Sequence, residues 1–283
     1  MSIRSEPAMN QYSAYVPCYN NERSVEHTLH SLQRQSIAPA ELFLVDDGST
    51  DNSKRIADHL GIPVVANSFN SGRGHVRALA LNNARHELVV SCDATNTLPS
   101  DFVERALPRF ADANVAAVFG RIWQEESNTL ADRWRGRHLF QMDRPMKMND
   151  NALLISYGCI LRRSAVLHVG NFDPALRQCE DADLGARLLA AGYSVIYDPD
   201  LHIIPVVSNT IPQVFERYWR WHAASDGPLS ARAYWRLIIY SLKVLVVRDL
   251  AKRDVASAGL SMLVPHYQFW KSWRLRHRSS SRT

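Results

Sequence analysis

The sequence predicts an α/β fold built on an open, mostly parallel sheet with helices on both faces. Two observations carry this expectation. Short apolar runs alternate with segments of helical periodicity through the first third of the chain, and one run ends in paired carboxylates and a glycine turn, Leu42-Phe43-Leu44-Val45-Asp46-Asp47-Gly48-Ser49. A strand that ends this way brings acceptor oxygens to the carboxyl edge of a sheet, where open α/β folds bind their ligands. A nucleotide is expected there.

The elements follow in order. Tyr12-Ser13-Ala14-Tyr15-Val16-Pro17 reads as a first strand entering the loop Pro17-Cys18-Tyr19-Asn20-Asn21-Glu22. Val25, Leu29 and Leu32 then recur at helical spacing. After the second strand, Ser49 to Asp51 supply capping side chains and an early negative charge for a second helix, and Ile62-Pro63-Val64-Val65 makes a third strand. Asn70-Ser71-Gly72-Arg73-Gly74 opens a third helix through about Ala84, and Glu87-Leu88-Val89-Val90-Ser91-Cys92-Asp93 is the fourth strand.

Four motifs in register, Pro17-x-Tyr19-Asn20-x-Glu22, Asp46-Asp47-Gly48-Ser49-x-Asp51, Asn70-x-Gly72 and Glu180-Asp181-x-Asp183-Leu184, resemble the inverting glycosyltransferases of family 2, which have the GT-A fold. The resemblance spans roughly residues 12 to 222. It implies that Pro17, Tyr19, Asn20 and Glu22 hold the nucleotide of a sugar donor, through backbone groups and Tyr19. It also implies that one of Asp46 and Asp47 accepts a hydrogen bond from the base; which one is left open. Taken alone, the two aspartates also read as a solvated turn with a helix cap. Arg73, just before the third helix, meets phosphate in one reading and is an ordinary exposed arginine in the other.

The pattern departs from the family at Asp93-Ala94-Thr95-Asn96, where similar enzymes carry Asp-x-Asp. A divalent cation bridging two phosphates prefers hard oxygen ligands. The resemblance thus implies Mg2+ or Mn2+ on Asp93, with Thr95 in the second carboxylate's place and Thr95 or Asn96 offering a neutral oxygen; Arg73 is an alternative source of neutralising charge. Similar enzymes also place a histidine ligand after a late strand that follows Tyr197-Asp198-Pro199-Asp200; here Pro205 stands there, and His202 reads as a satisfied histidine beside a strand.

Gly170-Asn171-Phe172-Asp173 is turn-like, and Gln178 to Leu184 enters a helix with Leu184 and Leu188 on one face. Glu180 and Asp181 then fall at a helix N-terminus, where acids also favour the dipole. An inverting transfer needs a general base for the acceptor hydroxyl. By resemblance that base is Asp181, and Glu180 hydrogen-bonds the acceptor or the base. The same resemblance implies that Leu153 to Ile160 is a strand lining the sugar pocket, with Gly158 allowing close approach of the sugar. The charged stretch from about Trp123 to Asn151, with Trp134, Arg135, Arg137, His138, Arg144 and Lys147, faces either an anionic acceptor or solvent.

Gln213-Val214-Phe215-Glu216-Arg217 is one residue longer than the Gln-x-x-Arg-Trp spacing of polymer-forming members, so addition of one or a few sugars is expected. Arg217 and Trp221 are candidate acceptor contacts; Tyr218, Trp219 and Trp221 alternatively form a packing face. The four cysteines, Cys18, Cys92, Cys159 and Cys179, lack Cys-x-x-Cys spacing, and nothing marks a covalent nucleophile. Met1 to Asn10 lack the apolar core of a signal peptide, so a cytoplasmic location is expected.

The chain of 283 residues is expected to divide into a GT-A domain over 1–228 and a helical, basic C-terminal extension over 229–283. Leu237 to Val247 is too short to span a bilayer. Lys271, Arg274, Arg276, Arg278 and Arg282 carry the whole net charge of +5, since the remaining 28 Lys and Arg match 28 Asp and Glu. That tail fits attachment to anionic lipid at the inner face of the cell membrane, or a solvated tail. Without a reader motif it does not support nucleic-acid binding.

These readings combine into an inverting glycosyltransferase that moves sugar from a nucleotide diphosphate donor, UDP-sugar foremost, to a hydroxyl of a glycan or lipid-linked acceptor in cell-surface polysaccharide assembly. The alternatives are a nucleotide-sugar-binding protein with lost or weak catalysis and a nucleotidyltransferase; the latter needs a Gly-rich basic phosphate loop that Pro17 to Glu22 lacks.

Overall fold

The computed structural model describes residues 11–124, 129–222 and 229–279, with the side chains of 275–279 excluded. Strand β1 (Tyr12–Cys18) is followed by helix α1 (Val25–Gln33), β2 (Glu41–Asp46), α2 (Ser53–His59), β3 (Val64–Ala66), α3 (Arg73–Asn83) and β4 (Leu88–Cys92). Then come β5 (Asn96–Thr97), α4 (Phe102–Ala106), a 3-10 turn at Leu107–Ala111, β6 (Val115–Ile122), α5 (Leu130–His138), β7 (Gly158–Arg162), α6 (Arg163–His168), α7 (Glu180–Ala190) and β8 (Ser194–Pro205). Helix α8 (Ile211–His222), α9 (Ala231–Tyr240), a π-helical stretch at Ser241–Val246, α10 (Val247–Ala251) and α11 (Val255–Ser279) complete the chain.

The sheet order is β3-β2-β1-β4-β7-β6-β8-β5. The expected βαβ units make the parallel half, in which Cys18 pairs with Asp46 and β1 also pairs with β4. Because β1 and β2 end in register, the loops after them emerge side by side at one edge. Beyond β4 the sheet turns mixed, with β7 antiparallel to β4 and β6 and with β6 parallel to β8. Strand β6 is buried at every position, so it lacks the alternation by which a half-exposed strand is recognised.

Three local expectations shift. Helix α2 begins at Ser53 rather than directly after Ser49, and Asp51 reaches over its start, accepting from Ser53 N at 2.9 Å and Ser53 Oγ at 2.6 Å. The strand expected from Leu153 is regular only from Gly158, because Ser156 N and its carbonyl serve side chains instead of a ladder. The late strand already starts at Ser194, with Tyr197 to Asp200 inside it.

Packing groups the chain into two units, one of Met1–Trp123 with Pro145–Val207, the other of Gln124–Arg144 with Ser208–Thr283. This differs from the expected boundary at 228, since α5 and α8 belong with the C-terminal helices. The first unit buries an apolar core including Tyr15, Val45, Val76, Leu81, Val89, Phe119, Leu161 and Leu184.

The second unit is organised by Trp134, fully buried on α5. Its Nε1 donates to Ser261 Oγ at 2.9 Å, and its ring meets Phe215 and Tyr218 edge-on. The α5 part of the charged stretch therefore turns inward, while Arg144 and Lys147 stay exposed. Arg135 is buried against Gln124, Asp132 and Asn209, and His138 and Arg137 both bond to the buried Asp249. Nor is Lys271 part of a free tail, since it pairs with Glu216 at 2.7 Å and lies over Trp219. Arg276, Arg278 and Arg282 lie outside the residues whose side chains are described.

Candidate active site

The loops after β1 and β2 are clamped to each other by their own side chains. Asn20, held at a φ of 53°, donates its backbone N–H to Ser49 Oγ at 2.9 Å and accepts from Thr50 N at 2.8 Å. Glu22 N donates to Asp51 Oδ2 at 3.0 Å, and Glu22 Oε2 accepts from Asn52 N and Nδ2. Asn20 and Glu22 thus shape the rim. Pro17 lies within β1, and Tyr19 leaves 46% of its surface exposed beside the clamp.

The aspartate pair divides its work. Asp47 accepts from Asn67 Nδ2 at 3.0 Å, Ser71 N at 2.8 Å and Gly72 N at 2.9 Å, so it fixes the loop that starts α3. The Asp46 carboxylate accepts from Ser49 N at 3.1 Å through Oδ2, and among the described residues its buried Oδ1 has no hydrogen-bond partner. An orphan carboxylate oxygen at this depth is costly unless another donor reaches it. The glycine turn is required, because Gly48 adopts a φ of +75° and a Cβ there would lie 2.8 Å from the Phe69 backbone.

One turn into α3 stands Arg77, a residue the motif reading missed. It is 2% exposed, on the buried face with Val76, Ala80 and Leu81. Nη2 donates to Asp93 Oδ1 at 2.7 Å, Nε to Glu180 Oε1 at 3.2 Å, and Nη1 to Ser91 Oγ at 2.8 Å and Ser156 O at 3.3 Å. Burial pulls its pKa down, but the surrounding groups, Asp93 foremost, more than compensate and hold the guanidinium above its ordinary range. An arginine inside an apolar helical face is the signal that points to such a role.

Helix α7 starts abruptly at Cys179, whose φ is 61°, and sends its first two acids to different partners. Glu180 turns inward to Arg77 and is 2% exposed, which leaves it as an ion-pair partner rather than an open acceptor contact. Asp181 stays half-buried; Oδ2 accepts from Ser156 N at 3.1 Å and Ser156 Oγ at 3.3 Å, and Oδ1 from Ala182 N at 2.9 Å. Asp93, Glu180 and Asp181 are therefore gathered around Arg77 and Ser156 at the ends of β4 and α7. Asp47 joins them through the first turn of α3, which it holds.

Other expected residues fall elsewhere. A Cβ on Gly158 would lie 2.5 Å from Ile203 Cγ1, so its bare face accommodates the Ile203 side chain of β8. Arg73 is exposed at the first position of α3. Arg217 and Trp221 lie on α8 in the second unit, where Trp221 is half-exposed against Phe140. His202 stacks on Trp123, with ring centroids 4.8 Å apart. Burial pushes the Cys18 thiol up to about 11 and that of Cys159 to about 12, so neither is a ready thiolate nucleophile.

Among the described residues no group of three or more His, Cys, Asp or Glu side chains is placed to hold a metal. Asn96 is buried and donates to Tyr157 O at 3.1 Å. Asp93, about a quarter exposed, shares one oxygen with Arg77. A cation on a diphosphate takes one or two carboxylates and completes its shell with phosphate and water. The residues fit a cation held jointly with such a ligand, and do not fit a site formed by protein alone.

The family model described as glycosyl transferase family 2 matches residues 13–170. The O-antigen chain rhamnosyltransferase WbaN of Salmonella anatum is 26% identical over 223 residues, 75% of this chain and 71% of that protein. Other curated relatives are spanned over 42% to 64% of their length. Among solved structures, the mannosyltransferase PcManGT from Pyrobaculum calidifontis in complex with GDP-Man and Mn2+ superposes with a TM-score of 0.62 at 18% identity, covering 90% of this chain and 84% of that one. S. aureus TarS 1–349 in complex with UDP-GlcNAc gives 0.54 at 16% identity, covering 93% and 91%. With more than half of its length matched by the family model, the chain belongs to glycosyl transferase family 2.

Proposed function

We propose that the chain transfers a sugar from a nucleotide diphosphate donor, UDP-sugar foremost, to a hydroxyl of a glycan or lipid-linked acceptor, with inversion at the anomeric carbon. The observation that carries this reading is the carboxylate of Asp181, steadied by Ser156 beside the Arg77–Asp93–Glu180 cluster. The acceptor oxygen forms a bond to the anomeric carbon as the bond from that carbon to the diphosphate oxygen breaks. Asp181 takes the hydroxyl proton, and the nucleoside diphosphate departs with the bonding pair.

The remaining residues bind and orient. Among the described residues Oδ1 of Asp46 is an acceptor without a donor, which suits a base N–H, while Tyr19, on the loop that follows the adjacent strand, offers an exposed ring for stacking. Asp93 would hold a divalent cation together with the donor phosphates; when bound, the cation neutralises charge on the leaving diphosphate. Arg77 sets the position of Asp93 and Glu180. We further propose a role in cell-surface polysaccharide assembly, supported by the relationship to an O-antigen enzyme.

Thr95, in place of a second carboxylate, favours one competing reading, a protein that binds the nucleotide without turnover. Calorimetric titration with UDP, with and without Mn2+, beside a donor-hydrolysis assay separates the two. Binding accompanied by metal-stimulated hydrolysis supports transfer; binding without hydrolysis under any metal supports the silent form.

A further inference from the structure

We propose that the C-terminal helices seat the protein on an anionic lipid surface through the outward face of α9–α10 and α11, rather than through the basic tail. The inference is independent of the transfer chemistry. Residues 227–283 contain eleven Lys and Arg and two acids, Asp249 and Asp254. Both acids are engaged within the unit. Asp249 is fully buried against Arg137, His138 and Ser261, and Asp254 bonds to Arg133 and Arg137. The outward face is left with cations and no free anion among the described residues.

That face is also unusually apolar. Helix α9 carries Tyr234, Trp235, Leu237, Ile238, Ile239 and Tyr240, yet buries no residue. Trp235 is 62% exposed and Ile239 49%, with exposed Arg236 and Lys243 interleaved. The Tyr234 ring lies 6.4 Å from that of Trp235 and 4.7 Å from that of Phe269 on α11, which joins the exposed aromatic surface of both helices. No described helix is long and apolar enough to cross a membrane. Large apolar and aromatic side chains mixed with cations match a helix lying in the plane of a bilayer surface, where the rings enter the headgroup region and the cations meet anionic lipid.

Charge also weighs against a second copy of the chain. A two-fold contact through this face would bring its cations together with no free acid among the described residues of the face to receive them. Of the tail cations whose side chains are described, Lys271 is paired with Glu216 and Arg274 lies over Trp270, so the anchor is assigned to the helical face instead.

Flotation of the full chain with phosphatidylglycerol-containing vesicles and with pure phosphatidylcholine vesicles tests the proposal. Recovery is expected on the anionic vesicles alone. Charge reversal at Arg236→Glu with Lys243→Glu, or Trp235→Ser with Ile239→Ser, should lower it by roughly tenfold or more, with unchanged circular dichroism. Arg276→Ser with Arg278→Ser and Arg282→Ser should float as wild type. The proposal is overturned by absence of recovery on anionic vesicles, by helix variants that float normally, or by a dimer in light scattering that those variants dissolve.

Discussion

Arg77 Nη2 lies 2.7 Å from Asp93 Oδ1, and the same buried guanidinium reaches Glu180. One cation thus ties the end of β4 to the start of α7. Removing one partner of a buried ion network leaves the others uncompensated, at a cost of about 3–5 kcal/mol. Arg77→Met is expected to lower the unfolding free energy by that order and to abolish transfer. Arg77→Lys keeps the charge but loses the fork and should fall between. Equilibrium unfolding of both variants checks the ranking.

The two aspartates after β2 should separate in experiment. Asp47→Asn loses a charged acceptor for two backbone N–H groups, so a stability loss of about 1–3 kcal/mol is expected, with loosening of the α3 loop. Asp46→Asn should leave the melting temperature nearly unchanged and weaken UDP binding. Thermal unfolding beside calorimetry distinguishes them, and a stability loss confined to Asp46→Asn would reverse the assignment.

Much of this site was legible in the sequence. The strand-end aspartates, the loop after β1 and the acids at the start of α7 occur where their motifs predict, because strand periodicity and capping chemistry are local. What was not legible depends on tertiary neighbours. Arg77 gives no local sign of its partners, which come from β4, α7 and the segment before β7. Gly158 looks like room for a sugar until β8 supplies Ile203. The charged residues of α5 read as facing an acceptor or solvent because Asp249, which bonds to Arg137 and His138, follows more than a hundred positions later.

Helix α3 meets the loop before α7 through Gly74, where a Cβ would stand 2.0 Å from Asp173 O and 2.6 Å from Leu176 O. Gly74→Ala must push backbone away, and overpacking of this kind costs about 1–3 kcal/mol. Because Arg77 lies on the same helix, activity should fall further than stability alone explains. Comparing the thermal midpoint with donor turnover at a temperature well below it tests that excess.

In the second unit, Asp254 is held down to about 2, from an ordinary 3.8; burial opposes this, and hydrogen bonds from Ser257 and Arg133 override it. A depressed folded-state value means stability fully present above the unfolded value and lost as pH falls toward the folded one. Urea midpoints should therefore decline between about pH 4 and pH 2, and Asp254→Asn should be less stable at neutral pH with a shallower decline. Parallel slopes for the two proteins would remove Asp254 from the account.

The central claim concerns a proton. Asp181→Asn preserves size and the acceptor for Ser156 while removing basicity, so product formation should fall by roughly 10²–10⁴-fold with UDP affinity nearly unchanged. Measuring transfer and calorimetric UDP binding on the same preparation decides the matter: lost transfer with retained binding is the predicted result, and retained transfer, or parallel loss of both, contradicts it.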